Sequence, residues 1–261
     1  MRSLAIAATG MQAQQLNVEV ISNNIANSAT TGYKAQRVEF QDLLYQNLRR
    51  IGSTSSDAGT IVPSGVQLGA GVRPASVYRI TSQGNLTVTN NKLDLAVNGN
   101  GYLMVTLPDG STGYTRDGSL SLSPSGQVVN SSGYILNPTV TIPPKALDIS
   151  VSANGQVEYS LQGNPTPVPA GQIKLSMFPN PAGLEAIGDN LYLESAASGV
   201  GTPQVPAIDG TGSIIQGSLE NSNVNVVQEI TTLITAQRAY EMNSKVIKTT
   251  DEMLQTVGQM Q

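Results

Sequence analysis

From Val224 to Val257 the chain runs without a Gly or a Pro, and Val226, Leu233, Tyr240, Ile247 and Leu254 recur along it at intervals of seven. That period sets all five side chains on one side of an α-helix. About 34 residues at 1.5 Å each make a rod about 50 Å long. Ile230, Ala236 and Val257 widen the stripe. Glu241 with Lys245, and Lys248 with Glu252, stand at the i,i+4 spacing that supports a helix by a few tenths of a kcal/mol per pair. Asn221, Ser222 or Asn223 can cap its start.

The other end of the chain mirrors this one. No Pro stands between Ser3 and Asn27, and Leu4, Met11, Val18 and Ile25 again repeat by sevens, with Ala7, Ala8, Ile21 and Ser22 between them. By its own propensities this helix is weak, because Gly10 costs about 1 kcal/mol relative to Ala and Thr9, Asn17, Val18 and Val20 add smaller penalties. It needs a partner, and the C-terminal stripe has the same period. A bare pair leaves apolar surface wet, since Ile6, Met11, Ile21, Val227, Ile234, Met242, Val246 and Met253 do not all fit one seam. Further helices from other copies of the chain are expected to cover the remainder, so that both ends order fully only on assembly.

Between the ends the pattern changes. Turn pairs stand at Asn98-Gly99, Asp109-Gly110, Asp117-Gly118, Ser125-Gly126, Ser132-Gly133 and Asn154-Gly155, with short alternating runs such as Tyr102 to Leu107, Ser119 to Leu122 and Gln127 to Val129 between them. Turns at that spacing predict an antiparallel β meander or sandwich, with further strands at 173–178 and 190–194. The stretch from Gly52 to Val72 is rich in Gly, Ser and Thr and reads as an extended arm. Before it, Phe40, Leu43, Leu44 and Leu48 fit a short amphipathic helix. The expected fold class is α+β: terminal segments 1–30 and 222–261 forming a coiled-coil-like helical layer, a linking arm with short strands at 31–93, and a central antiparallel β domain at 94–221.

Composition narrows the chemistry. The 261 residues include no His, no Cys and no Trp, so a Cys/His zinc site and a Ser-His-Asp or Cys-His relay are unavailable. No metal, cofactor or catalytic residue is expected. Asp109, Asp117, Glu158 and Glu185 could be paired as glycosidase carboxylates, but two of them lie in Asp-Gly turns, where the side chain serves the turn. A net charge of −4 without a basic block argues against a nucleic-acid partner. Charged residues make up only 12% of the chain, and a surface of hydroxyls, amides and glycine does not repel copies of itself. The apolar run at the N-terminus is broken by Thr9 and Gly10, too short for the core of a cleaved signal peptide.

The first helix ends in Ser-Asn-Asn-Ile-Ala-Asn-Ser-Ala-Thr-Thr-Gly-Tyr-Lys, residues 22 to 34. Asn23, Asn24 and Asn27 line one side of the ending helix, Thr30 and Thr31 favour extension and Gly32 permits a turn. One reading is a plain helix terminus. The other is that these amides bond to identical amides on neighbouring copies.

This segment resembles the N-terminal signature of the bacterial flagellar rod and hook proteins. The resemblance continues in Asn98-Gly99-Asn100-Gly101-Tyr102, in Tyr114-Thr115-Arg116-Asp117-Gly118-Ser119-Leu120, in Gly126-Gln127-Val128-Val129, in Ser222-Asn223-Val224-Asn225-Val226 and in Ala236-Gln237-Arg238-Ala239-Tyr240-Glu241. Length and the segment from Val72 to Leu95 look most like a distal rod subunit. Proximal rod and hook subunits share the terminal signatures, and a secreted carbohydrate-binding β domain is the reading from another class. The resemblance implies a rigid hollow helical tube in the periplasm that encloses an export channel and transmits torque. Its partners would be further copies of itself, proximal rod proteins, the hook protein, the P-ring and L-ring bushing and the flagellar type III export apparatus, which exports the subunit without a cleaved signal. Assembly would be carried by Leu4, Met11, Val18, Ile21, Ile25, Val226, Ile230, Leu233, Tyr240, Ile247 and Leu254. Asn23, Asn24, Asn27, Thr30, Gly32 and Tyr33 form the family motif.

Overall fold

The computed structural model describes residues 2–49, 64–161 and 164–259. Residues 50–63, which include the larger part of the Gly52 to Val72 stretch, and residues 162–163 lie outside the described set, as do the side chains of Asn164, Pro165 and Val257. The chain clusters into two units: residues 1–25, 36–78 and 226–261 form one, and 26–35 with 79–225 form the other. The expected arm at 31–93 is therefore shared between them.

The first unit holds both helices, α1 (Arg2–Ala26) and α2 (Val226–Gln259), with two strand pairs. Gln36–Asp42 pairs with Val72–Arg79, and Tyr45–Arg49 runs antiparallel to Val66–Gly69. The amphipathic helix expected at 40–48 is not formed. Val38 and Phe40 are half-buried between exposed Arg37, Glu39 and Gln41, so the side chains alternate with a period of two and the segment folds as strand.

Within α1 the inward residues are Ala7, Ala13, Val20, Ile21 and Asn24. Small side chains there permit a close approach to α2: a Cβ built on Gly10 would stand 2.9 Å from Asn243 Nδ2. Gln15, Val18 and Glu19 share a groove with Gln237, Tyr240 and Glu241. Higher numbers on α1 thus meet lower numbers on α2, and the helices run antiparallel. Asn223 does not cap α2, which starts at Val226; its carboxamide is engaged elsewhere. The i,i+4 pairs on α2 do not close either, since the three ion pairs among the described residues lie outside it. Exposed helical charges gain too little from pairing to hold two long side chains in place.

The second unit is antiparallel β throughout. Its central strand, Tyr102–Thr106, pairs with Thr112–Thr115 along one edge, and with Leu175–Met177 and then Ile135–Asn137 along the other. Being covered on both faces, it is buried from Tyr102 to Val105. Leu103 and Val105 point into the main core with Val97, Leu136, Val140, Ile142, Ile173 and Leu175. Tyr102 and Met104 point the other way, into a cluster with Tyr114, Phe178, Leu184 and Tyr192. There Tyr114 meets Phe178 edge to face at 4.7 Å and Tyr102 meets Tyr192 at 6.0 Å, an arrangement that aromatic quadrupoles favour. The turn pairs seen in the sequence sit between strands as expected. Gly118 serves a different need: a Cβ there would stand 1.6 Å from the Leu95 carbonyl oxygen.

Burial raises the pKa of Tyr102, Tyr114 and Tyr192 above the ordinary phenol value of 10.0, and the bond from the Tyr114 hydroxyl to Glu194 adds to the rise at that ring. A raised folded-state pKa stabilises the fold fully below the unfolded value, and the gain is lost as pH rises through the folded value. Spectrophotometric titration should therefore show these three rings silent where exposed phenols ionise. They should ionise together with alkaline unfolding, and independent ionisation in the still folded domain would contradict this packing.

Candidate assembly surface and its buried clamp

The family motif leads into the second unit and ends on a buried charge cluster. Lys34, Arg116 and Glu220 are at most 5% exposed, a state that charges adopt only when paired. Lys34 Nζ lies 2.5 Å from Glu220 Oε1 and also donates to the Ser82 carbonyl at 2.9 Å. Gly84 N donates to the same Oε1 at 2.9 Å, and Arg116 Nη1 reaches Oε2 at 3.3 Å. The Arg116 guanidinium also donates to the carbonyls of Val97 and Gly99 and lies over the Tyr102 ring, 5.1 Å from its centroid. Burial lowers the Lys34 pKa, against the pull of the Glu220 carboxylate.

Gly32 is held in the same place. Its N–H donates to the Glu220 carbonyl at 2.7 Å. With φ at +68° and a would-be Cβ only 2.8 Å from the Arg116 carbonyl carbon, no side chain fits. Asn223 ties three segments together. Its Oδ1 accepts from Ala35 N at 2.7 Å, and its Nδ2 donates to the carbonyls of Ile80 and Ser82 at 2.9 and 3.0 Å. The three segments in which the chain enters or leaves this unit, at Ala35, Ile80 and Asn223, are thereby tied together.

The motif amides turn out to serve the chain itself. Asn24, 1% exposed, exchanges two bonds of 2.8 Å with the Gln36 backbone, donating to its carbonyl and accepting from its N–H. Asn27 accepts from Thr30 Oγ1. A helix ending beside a strand leaves backbone groups unpaired, and these two amides satisfy such groups within the chain, as the plain helix-terminus reading expects. Asn23 is exposed and Tyr33 half-buried. Lys34 and Glu220 carried no sequence signal of their own, because the pairing spans 186 residues.

Of the stripe residues, Ile21 is buried, while Leu4, Met11, Val18, Ile25, Leu233 and Ile247 are half-buried. Val226, Ile230, Tyr240 and Leu254 are each about two-fifths exposed, and Val227, Met242 and Met253 more so. Among the described residues of α2, Ala236 alone is buried. On α2 several large apolar side chains thus face outward while the small Ala236 faces inward. Asp109 and Asp117 each accept from the backbone N–H and hydroxyl of a serine two residues on, and so serve as turn residues. No group of His, Cys, Asp or Glu suited to a metal occurs among the described residues, and no described helix is long and apolar enough to cross a membrane.

Glu220→Gln leaves two buried cations without their anion, a loss of about 3–5 kcal/mol. Thermal melts should show that drop, and Lys34→Met should cost less, since it removes a charge that burial opposes. Gly32→Ala should also lower the melting temperature, through left-handed strain and the backbone collision. Melts of Glu220→Gln matching the parent would mean the cluster does not hold this unit together.

Three family models match the chain in order: "Flagella basal body rod protein" over residues 4–34, "Flagellar hook protein FlgE/F/G D1 domain" over 96–159 and "Flagellar basal body rod FlgEFG protein C-terminal" over 215–260. The clamp takes one residue from the first span, Lys34, one from the second, Arg116, and one from the third, Glu220. Among characterised relatives, the flagellar basal-body rod protein FlgG of Caulobacter vibrioides is 57% identical over 100% of this chain and 99% of its own length. The FlgG of Borreliella burgdorferi is 44% identical over 97% and 96%, and that of Bacillus subtilis 38% over 98% and 97%. End-to-end similarity of this degree, carried by the same terminal helices and β domain described above, shows that the chain belongs to the FlgG-type flagellar basal-body rod protein family.

Proposed function

We propose that the chain is the structural subunit of the distal rod, polymerising through its helices into a rigid hollow tube that spans the periplasm. The observation that carries this reading is α2 itself, a 34-residue helix with one buried residue among those described. In proteins most helical stability comes from packing of an apolar face rather than from propensity, and an apolar face this long is stabilised only when something covers it. Copies of the same two helices are the natural cover, because each copy exposes Ile6 on α1 and Val227, Met242 and Met253 on α2. The tube's inner wall then encloses the export channel, and the β domain, held by its clamp, forms the stiff outer wall that transmits torque.

The same reading assigns the remaining partners. The rod would meet proximal rod proteins at one end and the hook protein at the other, turn inside the P-ring and L-ring bushing, and receive its subunits through the flagellar type III export apparatus. Its place is the basal body. A low charge content suits close packing of identical surfaces, since few counter-charges have to be found at each contact.

Leu254 is two-fifths exposed in the single chain, so Leu254→Asp should leave the thermal melt of the β unit unchanged. In the polymer the carboxylate would be buried without a partner at every subunit, a cost of several kcal/mol per copy, on the order of that for other unpaired buried charges. Electron microscopy of the parent protein at high concentration should show straight tubes, and of Leu254→Asp none. Normal tubes from the variant would remove α2 from the packed wall, and a parent protein that stays monomeric while binding a glycan would overturn the rod reading altogether.

A further inference from the structure

Asn followed by Gly is the dipeptide most prone to spontaneous deamidation, because Gly offers no side chain to hinder ring closure. The chain has three such pairs, at Asn98-Gly99, Asn100-Gly101 and Asn154-Gly155. By sequence alone they are equivalent. The fold makes them unequal, because attack requires a glycine N–H free to lose its proton and a carboxamide free to swing toward it.

At Asn98 both requirements are blocked by one side chain. Gly99 N donates to Gln83 Oε1 at 2.9 Å, and Gln83 Nε2 donates to Asn98 Oδ1 at 3.3 Å. At Asn154 the turn does the same work. Gly155 N donates to the Ser152 carbonyl at 2.9 Å, while Asn154 Oδ1 accepts from Ser152 Oγ and Gln156 N. Asn100 is different: it is exposed, and among the described residues its carboxamide makes no hydrogen bond, nor does the N–H of Gly101, although Gly101 itself is buried, donate in any turn or loop bond.

We infer that Asn100 is a site of spontaneous deamidation in the folded subunit, and that Gln83 guards Asn98 from the same fate. The Gly101 nitrogen bonds to Asn100 Cγ, the Cγ–Nδ2 bond breaks, and the amide proton leaves with the side-chain nitrogen as ammonia. Water then opens the cyclic imide at either carbonyl to give aspartate or isoaspartate. The isoaspartate route inserts an extra backbone carbon beside two structural contacts. The Asn100 carbonyl accepts from Gly212 N at 2.7 Å, and the preceding Gly99 carbonyl accepts from Arg116 Nη2 at 2.8 Å. The lesion would therefore form between the Arg116 anchor and the central strand Tyr102–Thr106.

The test is to age the full-length protein in mildly alkaline buffer and follow each Asn-Gly peptide by mass spectrometry, with an isoaspartate methyltransferase assay alongside. Asn100 should convert several-fold faster than Asn98 and Asn154, all three should convert at similar rates in denaturant, and the aged fraction should melt lower. In Gln83→Ala, Asn98 should rise toward the Asn100 rate while Asn154 stays slow, and a rise at Asn154 as well would show that the variant had merely loosened the domain. The guard is overturned if Asn98 in folded Gln83→Ala stays as slow as in the parent. The site is overturned, independently of any variant, if Asn100 in the folded parent is no faster than the other two.

Discussion

A carboxylate with no exposure to water has to find its counter-charges inside the chain, and Glu220 finds them in Lys34 and Arg116. Meeting that requirement fixes much else. Lys34 can reach the site only if the residues before it turn sharply, which Gly32 allows by packing its bare Cα against the Arg116 backbone. Arg116 can reach it only from the turn that follows Thr112–Thr115, and it carries the carbonyls of Val97 and Gly99 with it. Asn223 then aligns the strands on either side. The clamp thus joins three stretches of sequence far apart in the chain, and the removal of Glu220 would leave both cations stranded in a medium where stranded charge is costly.

The helices obey a different economy. In an ordinary core, large apolar side chains turn inward and small ones fill the gaps. Here Ala7, Gly10, Ala13 and Ala236 lie at the inner contacts, and Met242, Val227 and Met253 lie outside. Small residues let two backbones approach closely but bury little area, so the antiparallel pair is held weakly within one chain. Hydrophobic burial is proportional to area removed from water, and most of the area available on α2 is still wet.

Periodicity is a local property, and what depended on it was legible in the residues. The sevens of Leu233, Tyr240 and Ile247 and the turn pairs from Asn98-Gly99 to Asn154-Gly155 place the helices and most strands, because each element is specified by its own neighbours within a few residues. Where the periods of helix and strand overlap over a short run, as at Phe40 to Leu48, the pattern alone misleads, and the strand formed because Val38 and Phe40 share one side of the paired ribbon. The ordered set of motifs identified the family for a related reason, since motifs survive in sequence whether or not their contacts can be foreseen.

Tertiary structure alone decided which charges meet. The motif marks Lys34, but nothing in the chain pairs it with Glu220 rather than another acid until residues 186 apart are brought within 2.5 Å. It likewise decided that Asn24 bonds to the Gln36 backbone, that Asn223 ties Ala35 to Ile80 and Ser82 rather than capping α2, and that Glu241 and Lys245 remain apart at the spacing a helix favours. Hydrogen bonds and ion pairs are short-ranged and directional, so sequence can supply the donors and acceptors, but only the folded chain determines which of them are within reach.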